Sequence, residues 1–158
     1  MTKKLTVEVL SDREILVRRE FNAPRQLVFD AHTKPELVRK WLTGPPGWTM
    51  PVCKIDLRVG GKYRYEWRNA SGEELAMGGT FREVAAPERL VSAELFDVDW
   101  TGGETINTQV FTEAGGKTTL ALTVRYASLA ARDAALKTGM TTGMEMSYAN
   151  LDAVLAAA

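Results

Sequence analysis

From Met50 to Tyr126, apolar and polar residues alternate in short runs punctuated by glycine pairs, whereas Ser128 to Ala158 holds no proline and carries apolar residues at helical spacing. The pattern predicts a curled antiparallel sheet closed by a long C-terminal helix. Ahead of it, Leu5, Val7 and Val9 alternate with Thr6 and Glu8, and after Ser11-Asp12-Arg13 the alternation resumes through Ile15, Val17, Arg19 and Phe21, the mark of a hairpin. Pro24 to Leu42 reads as two short helices. Pro24 suits a first helical turn, and Leu27, Val28 and Ala31 share one side. Thr33-Lys34-Pro35-Glu36 then has the spacing of a capping box, ahead of Leu37, Val38 and Trp41 on one face. Gly44-Pro45-Pro46-Gly47 cannot continue that helix. Helices on one face of the sheet only can leave a hollow between the layers.

The sheet is predicted in six strokes. Cys53, Ile55, Leu57 and Val59 alternate with Lys54, Asp56 and Arg58 up to Gly60-Gly61, and Tyr63, Tyr65 and Trp67 alternate with Lys62, Arg64, Glu66 and Arg68. Leu75, Met77, Gly79 and Phe81 lead to a turn at Ala85-Ala86-Pro87, and Leu90 to Phe96, Thr105 to Thr112 and Thr118 to Tyr126 complete the set. The turns at Gly102-Gly103 and Gly115-Gly116 need positive φ. No connection leaves room for a crossover helix, so the strands form a meander. Ser128 suits an N-cap, and Gly139 bends or breaks the helix that follows. Beyond it, Met140, Met144, Tyr148, Leu151 and Leu155 form a stripe facing the sheet, with Glu145, Asn150 and Asp152 on the other side.

Composition narrows the class. With 158 residues and 45% hydrophobic content, the chain is expected to be one domain spanning 1–158 that buries its own core. Twenty basic residues balance twenty acidic ones and the pI is about 6.6, which offers nothing to nucleic acid or an anionic membrane. Cys53 has no partner for a disulfide, and Met1-Thr2-Lys3-Lys4 leads into alternation rather than an apolar signal core. No apolar run reaches membrane-spanning length, so the expectation is a cytoplasmic monomer or homodimer without membrane insertion.

Candidate chemistry lies mainly in aromatic and sulfur-bearing side chains. Tyr63, Tyr65 and Trp67 share one face of a central strand, with Met77 and Phe81 on the matching face of its neighbour; they suit a flat hydrophobic ligand or simply fill core. Met140, Met144 and Tyr148 face them from the closing helix, and methionine adapts to variable occupants. Trp41 and Trp48 flank the Gly-Pro-Pro-Gly loop at the expected cavity mouth, as a contact to ligand or as an anchor for the loop. His32, the lone histidine, has neither a metal constellation nor a serine partner and reads as a surface or hinge residue. No cofactor is expected. Cys53 reads as a small buried hydrophobe, Asp56 and Arg58 as a solvated ion pair on the polar face of their strand, and no buried acid or base is evident. Glu94 and Asn107 could place a polar group in the cavity, with their facing left open by the register.

These segments also carry a resemblance. Phe21-Asn22-Ala23-Pro24, Thr33 to Trp41, Gly44-Pro45-Pro46-Gly47-Trp48, Asp56 to Tyr63, Gly78 to Glu83, Pro87-Glu88-Arg89-Leu90 and Gly139 to Met144 resemble, in order, bacterial single-domain members of the heat-shock-protein-90 ATPase-activator-like family. That family belongs to the START-like (SRPBCC) helix-grip superfamily. The resemblance implies an α+β fold of β-α-α-β6-α order with a deep apolar cavity beneath the long helix. It implies binding of a small hydrophobic or amphipathic ligand, which is the leading reading. Superfamily relatives hold lipids, hormones or polyketides, and some cyclise or hydrolyse, so an enzyme acting on an aromatic or polyketide-type substrate is the alternative. A third reading is a stress-response module that contacts a chaperone; the eukaryotic co-chaperones that name the family rely for that on an additional N-terminal domain, which this sequence does not show.

Overall fold

The computed structural model describes residues 5–98 and 102–158, so the reading of Met1 to Lys4 lies outside the described residues. A hairpin of β1 (Thr6–Val9) and β2 (Glu14–Phe21) is followed by α1 (Arg25–Thr33) and α2 (Pro35–Trp41). Six strands follow: β3 (Trp48–Ile55), β4 (Lys62–Asn69), β5 (Glu74–Ala85), β6 (Arg89–Phe96), β7 (Thr105–Ala114) and β8 (Lys117–Arg125). The chain ends in α3 (Leu129–Lys137) and α4 (Met140–Ala156). All eight strands form one antiparallel sheet in the order β1-β2-β8-β7-β6-β5-β4-β3. The last six are the meander that the short connections require, and the hairpin adds to it through β2 against β8. This is the α+β helix-grip architecture, a curved sheet with its helices on one face.

Alternation sets that face. In β4, Tyr63, Tyr65 and Trp67 are buried, while Arg64 points outward and grips Asp97 with two bonds of 2.7 and 2.6 Å. Tyr148, Leu151 and Leu155 of α4 press inward, and Phe21 meets Tyr148 edge-on at 5.4 Å. Burying each such side chain contributes about 1.5–3 kcal/mol. Gly139, at φ 76°, separates α3 from α4, and Ser128 caps α3 by accepting from the Ala131 amide at 3.0 Å. Gly102, Gly103, Gly115 and Gly116 all take positive φ.

Four expectations change. Thr33 makes no capping box: it is the last residue of α1, buried, and its hydroxyl donates back to the Phe29 carbonyl at 3.0 Å, so Lys34 stands at the N-cap of α2 without a side-chain bond. Pro24 stands at the N-cap of α1, just outside its first turn. The strand around Cys53 begins earlier and ends at Ile55. Asp56 to Gly61 instead folds into a turn held by Gly60 at φ 81° and by amide bonds to and from Phe81, leaving Leu57 and Val59 exposed. Asp152, four residues after Tyr148, faces inward: Arg19 of β2 donates to both its oxygens at 2.7 and 2.6 Å. That pair, with Arg19 also lying over the Phe21 ring at 4.8 Å, pins α4 to the sheet.

Candidate functional site

Between the sheet and α4 lies a cavity of about 640 Å³, within the range of small-molecule sites. One wall is aromatic. Tyr63, Tyr65 and Trp67 of β4 run along it, with ring centroids 5.3 and 5.9 Å apart, and Met77 and Phe81 of β5 continue it, Phe81 lying 5.0 Å from Tyr63. Opposite them stand Met140, Met144 and Tyr148 of α4. Trp41 stacks on Tyr148 at 6.0 Å, and Trp48 closes the rim beside Gly44 and Pro45. The structure therefore brings every aromatic and methionine candidate named from the sequence to one void. The indole N–H groups of the two inner tryptophans are committed to structure: Trp41 donates to the Ala31 carbonyl and Trp67 to the Leu42 carbonyl, each at 2.8 Å. The first bond ties α2 to α1 and the second ties the end of α2 to β4, which fixes the cavity's end. Leu75 and Met146, partly exposed and lining the same void, lie where it meets solvent.

The second wall is polar, and alternation explains it. Leu90, Ser92, Glu94 and Phe96 of β6 face inward in step, as do Thr105, Asn107 and Gln109 of β7. Ser92 and Glu94 occupy slots that an apolar pattern would give to leucine or valine. The register aligns Tyr63 with Gly79 and Gly79 with Glu94 across three adjacent strands. A Cβ at Gly79 would collide with the Tyr63 ring, so glycine there lets the tyrosine lie across β5. Its hydroxyl thereby donates to Glu94 Oε2 at 2.8 Å and lies 3.2 Å from Ser92 Oγ. Glu94 borders the void yet is ringed by protein. Burial pushes its carboxyl above the usual carboxylate range, and bonds from Tyr63 and Asn107 oppose that rise. Burial and the neighbouring Glu94 charge likewise raise the Tyr63 phenol. The cavity thus contains a half-buried acid whose carboxyl is desolvated, correcting the expectation that none was evident.

His32 is also not at the surface. It stands in the last turn of α1, four residues after Val28, and lines the cavity with Trp41 and Phe111 edge-on to its ring at 4.9 and 5.3 Å. Nδ1 lies 2.8 Å from the Val28 carbonyl oxygen and so carries the proton. Nε2 is left as an enclosed acceptor that no group among the described residues meets. Enclosure holds the imidazole at about 4, below its usual 6.5, against the opposing pull of the Val28 carbonyl. Cys53 is buried as expected, and Asp56 and Arg58 form an exposed pair at 2.9 Å in the turn after β3 rather than on that strand. A second, smaller groove of about 410 Å³ between the α1–α2 insert and the end of α4 carries Lys40 as its charged residue.

The sheet curled about its closing helices around a mostly apolar void that opens to solvent defines a START-like helix-grip protein. The sequence profile of the family described as "Activator of Hsp90 ATPase homolog 1-like protein" matches residues 22–156, and the chain belongs to that family. Among solved structures, a protein of Rhodobacter sphaeroides is 35% identical over 98% of this chain and 99% of its own, with a TM-score of 0.93. A Mycobacterium smegmatis protein is 26% identical over 96% and 97%, with a TM-score of 0.83. A Staphylococcus epidermidis protein is 27% identical over 96% and 94%, also at 0.83. No curated protein matches the chain. Among the described residues, no helix is long and apolar enough to cross a membrane.

Proposed function

We propose that this protein binds a small hydrophobic or amphipathic molecule in the cavity between its sheet and α4. The observation that carries this reading is the two-sided lining, an aromatic wall on β4 and β5 facing α4 and a polar strip on β6 and β7 within one void of about 640 Å³. A void used only as core would be filled by side chains, since interiors pack like organic crystals and retain few gaps larger than a water molecule. The aromatic wall supplies burial for a ring or chain, and the strip of Ser92, Glu94, Asn107 and Gln109 fixes its polar end. An environment-sensitive apolar dye tests this. It should bind the folded protein one to one, and Met144→Trp, which fills the space, should weaken binding about tenfold or more while the melt survives an overpacking cost of about 1–3 kcal/mol. Folded wild-type protein that takes up no apolar probe would end this reading.

A second reading, turnover of an aromatic or polyketide-type substrate, draws on the same Glu94. A carboxyl whose affinity for a proton is raised by burial and which is bonded to a tyrosine can serve as a general acid. It is distinguished by product: Glu94→Gln would abolish turnover while sparing affinity for the substrate.

A further inference from the structure

We propose that the ligand of this cavity is a lipophilic cation, an apolar ring-bearing body with a protonated amine that seats against Glu94. The proposal rests on the ligand-binding reading above and assigns the ligand's charge. Among the described residues lining the void, Glu94 is acidic and none is lysine or arginine. A ligand carboxylate or phosphate would therefore enter a low-dielectric space beside a carboxyl group with no counter-charge to meet it. The groups around Glu94 are Tyr63, Ser92 and Asn107, with Tyr65 and Tyr126 close enough to feel its charge, and none of them is cationic. Arg19, which acts on Tyr148 from behind, is already held by both oxygens of Asp152.

Four donors bordering the void are already committed within the protein. The Trp41 and Trp67 N–H groups go to backbone carbonyls, His32 Nδ1 goes to Val28, and the Tyr63 hydroxyl goes to Glu94 itself. What those groups still present to the void is ring faces and acceptors. A carboxylate offers about four lone-pair positions, so Glu94 can hold the Tyr63 bond and accept from an ammonium as well. Tyr63, Tyr65 and Trp67, tilted at 39° and 68° from one to the next, line the void with π-systems that can attract a cation. Ionising an enclosed carboxyl without a counter-ion is costly, and the burial that raises Glu94 is the cost an arriving ammonium offsets.

Three probes with one naphthyl ring separate charge from shape: naphthylethylamine, naphthylethanol and naphthylacetate, each titrated calorimetrically into the full chain at neutral pH. The amine is expected to bind about tenfold or more tighter than the alcohol, and the acid more weakly than either. Glu94→Gln, which can still accept from Tyr63, should erase the gap between amine and alcohol. An amine no tighter than the alcohol in wild-type protein overturns the proposal, as does an amine advantage that survives in a folded Glu94→Gln. The wild-type series decides by itself should that variant fail to fold. If the alcohol binds and the amine has no advantage, the charge assignment alone falls; if none of the three binds folded protein, the ligand-binding reading falls with it.

Discussion

Gly79→Ala is the smallest change that should dismantle the polar strip. Gly79 lies in extended backbone, absent from the glycines with positive φ, so alanine there meets no torsional penalty and its whole effect is steric. The added methyl falls on the Tyr63 ring, which must swing away and take its hydroxyl from Glu94 Oε2 and Ser92 Oγ. Losing a hydrogen bond to an ionisable acid costs about 1.5–3 kcal/mol, and overpacking adds about 1–3 kcal/mol. A loss of about 3–5 kcal/mol is a large share of the stability of an ordinary domain. Urea unfolding followed by tryptophan fluorescence measures it, with a constant m-value confirming that the native state keeps its surface. Tyr63→Phe in wild type should cost about 1–3 kcal/mol, but under about 0.5 kcal/mol in the Gly79→Ala background, because the hydroxyl has already left its partner. An undiminished Tyr63→Phe cost in that background, or a Gly79→Ala that costs nothing, would refute the reasoning.

Two further outcomes follow from enclosed charges. His32 sits at about 4 when folded against 6.5 as a free side chain, so the unfolded chain binds the extra proton between those values. Stability should therefore fall as pH drops from 6.5 toward 4, by at most about 3 kcal/mol from this residue, and the difference between wild type and His32→Gln in urea melts across that window isolates it; parallel profiles would show that His32 is not enclosed. Asp152→Ala leaves Arg19 buried with only the Glu20 carbonyl and the Phe21 ring, and should cost about 3 kcal/mol in the same assay, whereas a loss below about 0.5 kcal/mol would mean that the pair does not pin α4.

The six-stranded meander was legible from its short connections, the seating of β2 against β8 was not, and the facing of the aromatic wall was legible because period-two alternation fixes a face wherever one side is wholly apolar, as for Tyr63, Tyr65 and Trp67. The stripe of α4 was legible for the matching reason, a helical period ending in Tyr148, Leu151 and Leu155. Glu94 was not, since a polar residue in an inward slot reads as the opposite face until the neighbouring register pins it; its spacing from Leu90 and Ser92 was the available signal. His32 was read as a surface or hinge residue because lone polar residues usually are exposed, although its separation of four from Val28 placed it on the buried side of α1. Asp152 failed the same way, four residues from Tyr148. Thr33 had the capping-box spacing, but α1 runs one residue further than that box allows, and its hydroxyl goes to Phe29 instead. The role of Gly79 rests on a contact between strands, which no local pattern records.

The methionines allow the central claim to be tested at the site itself. With methyl-labelled methionine, titration with naphthylethanol followed by NMR should shift the resonances of Met77, Met140, Met144 and Met146, which line the cavity, and leave Met50, buried in β3 away from that lining, in place. Saturation should occur at one equivalent, with Met144→Trp weakening it. Shifts confined to Met50, or four cavity methyls unmoved at saturating probe, would contradict the claim that this void is where the protein takes its ligand.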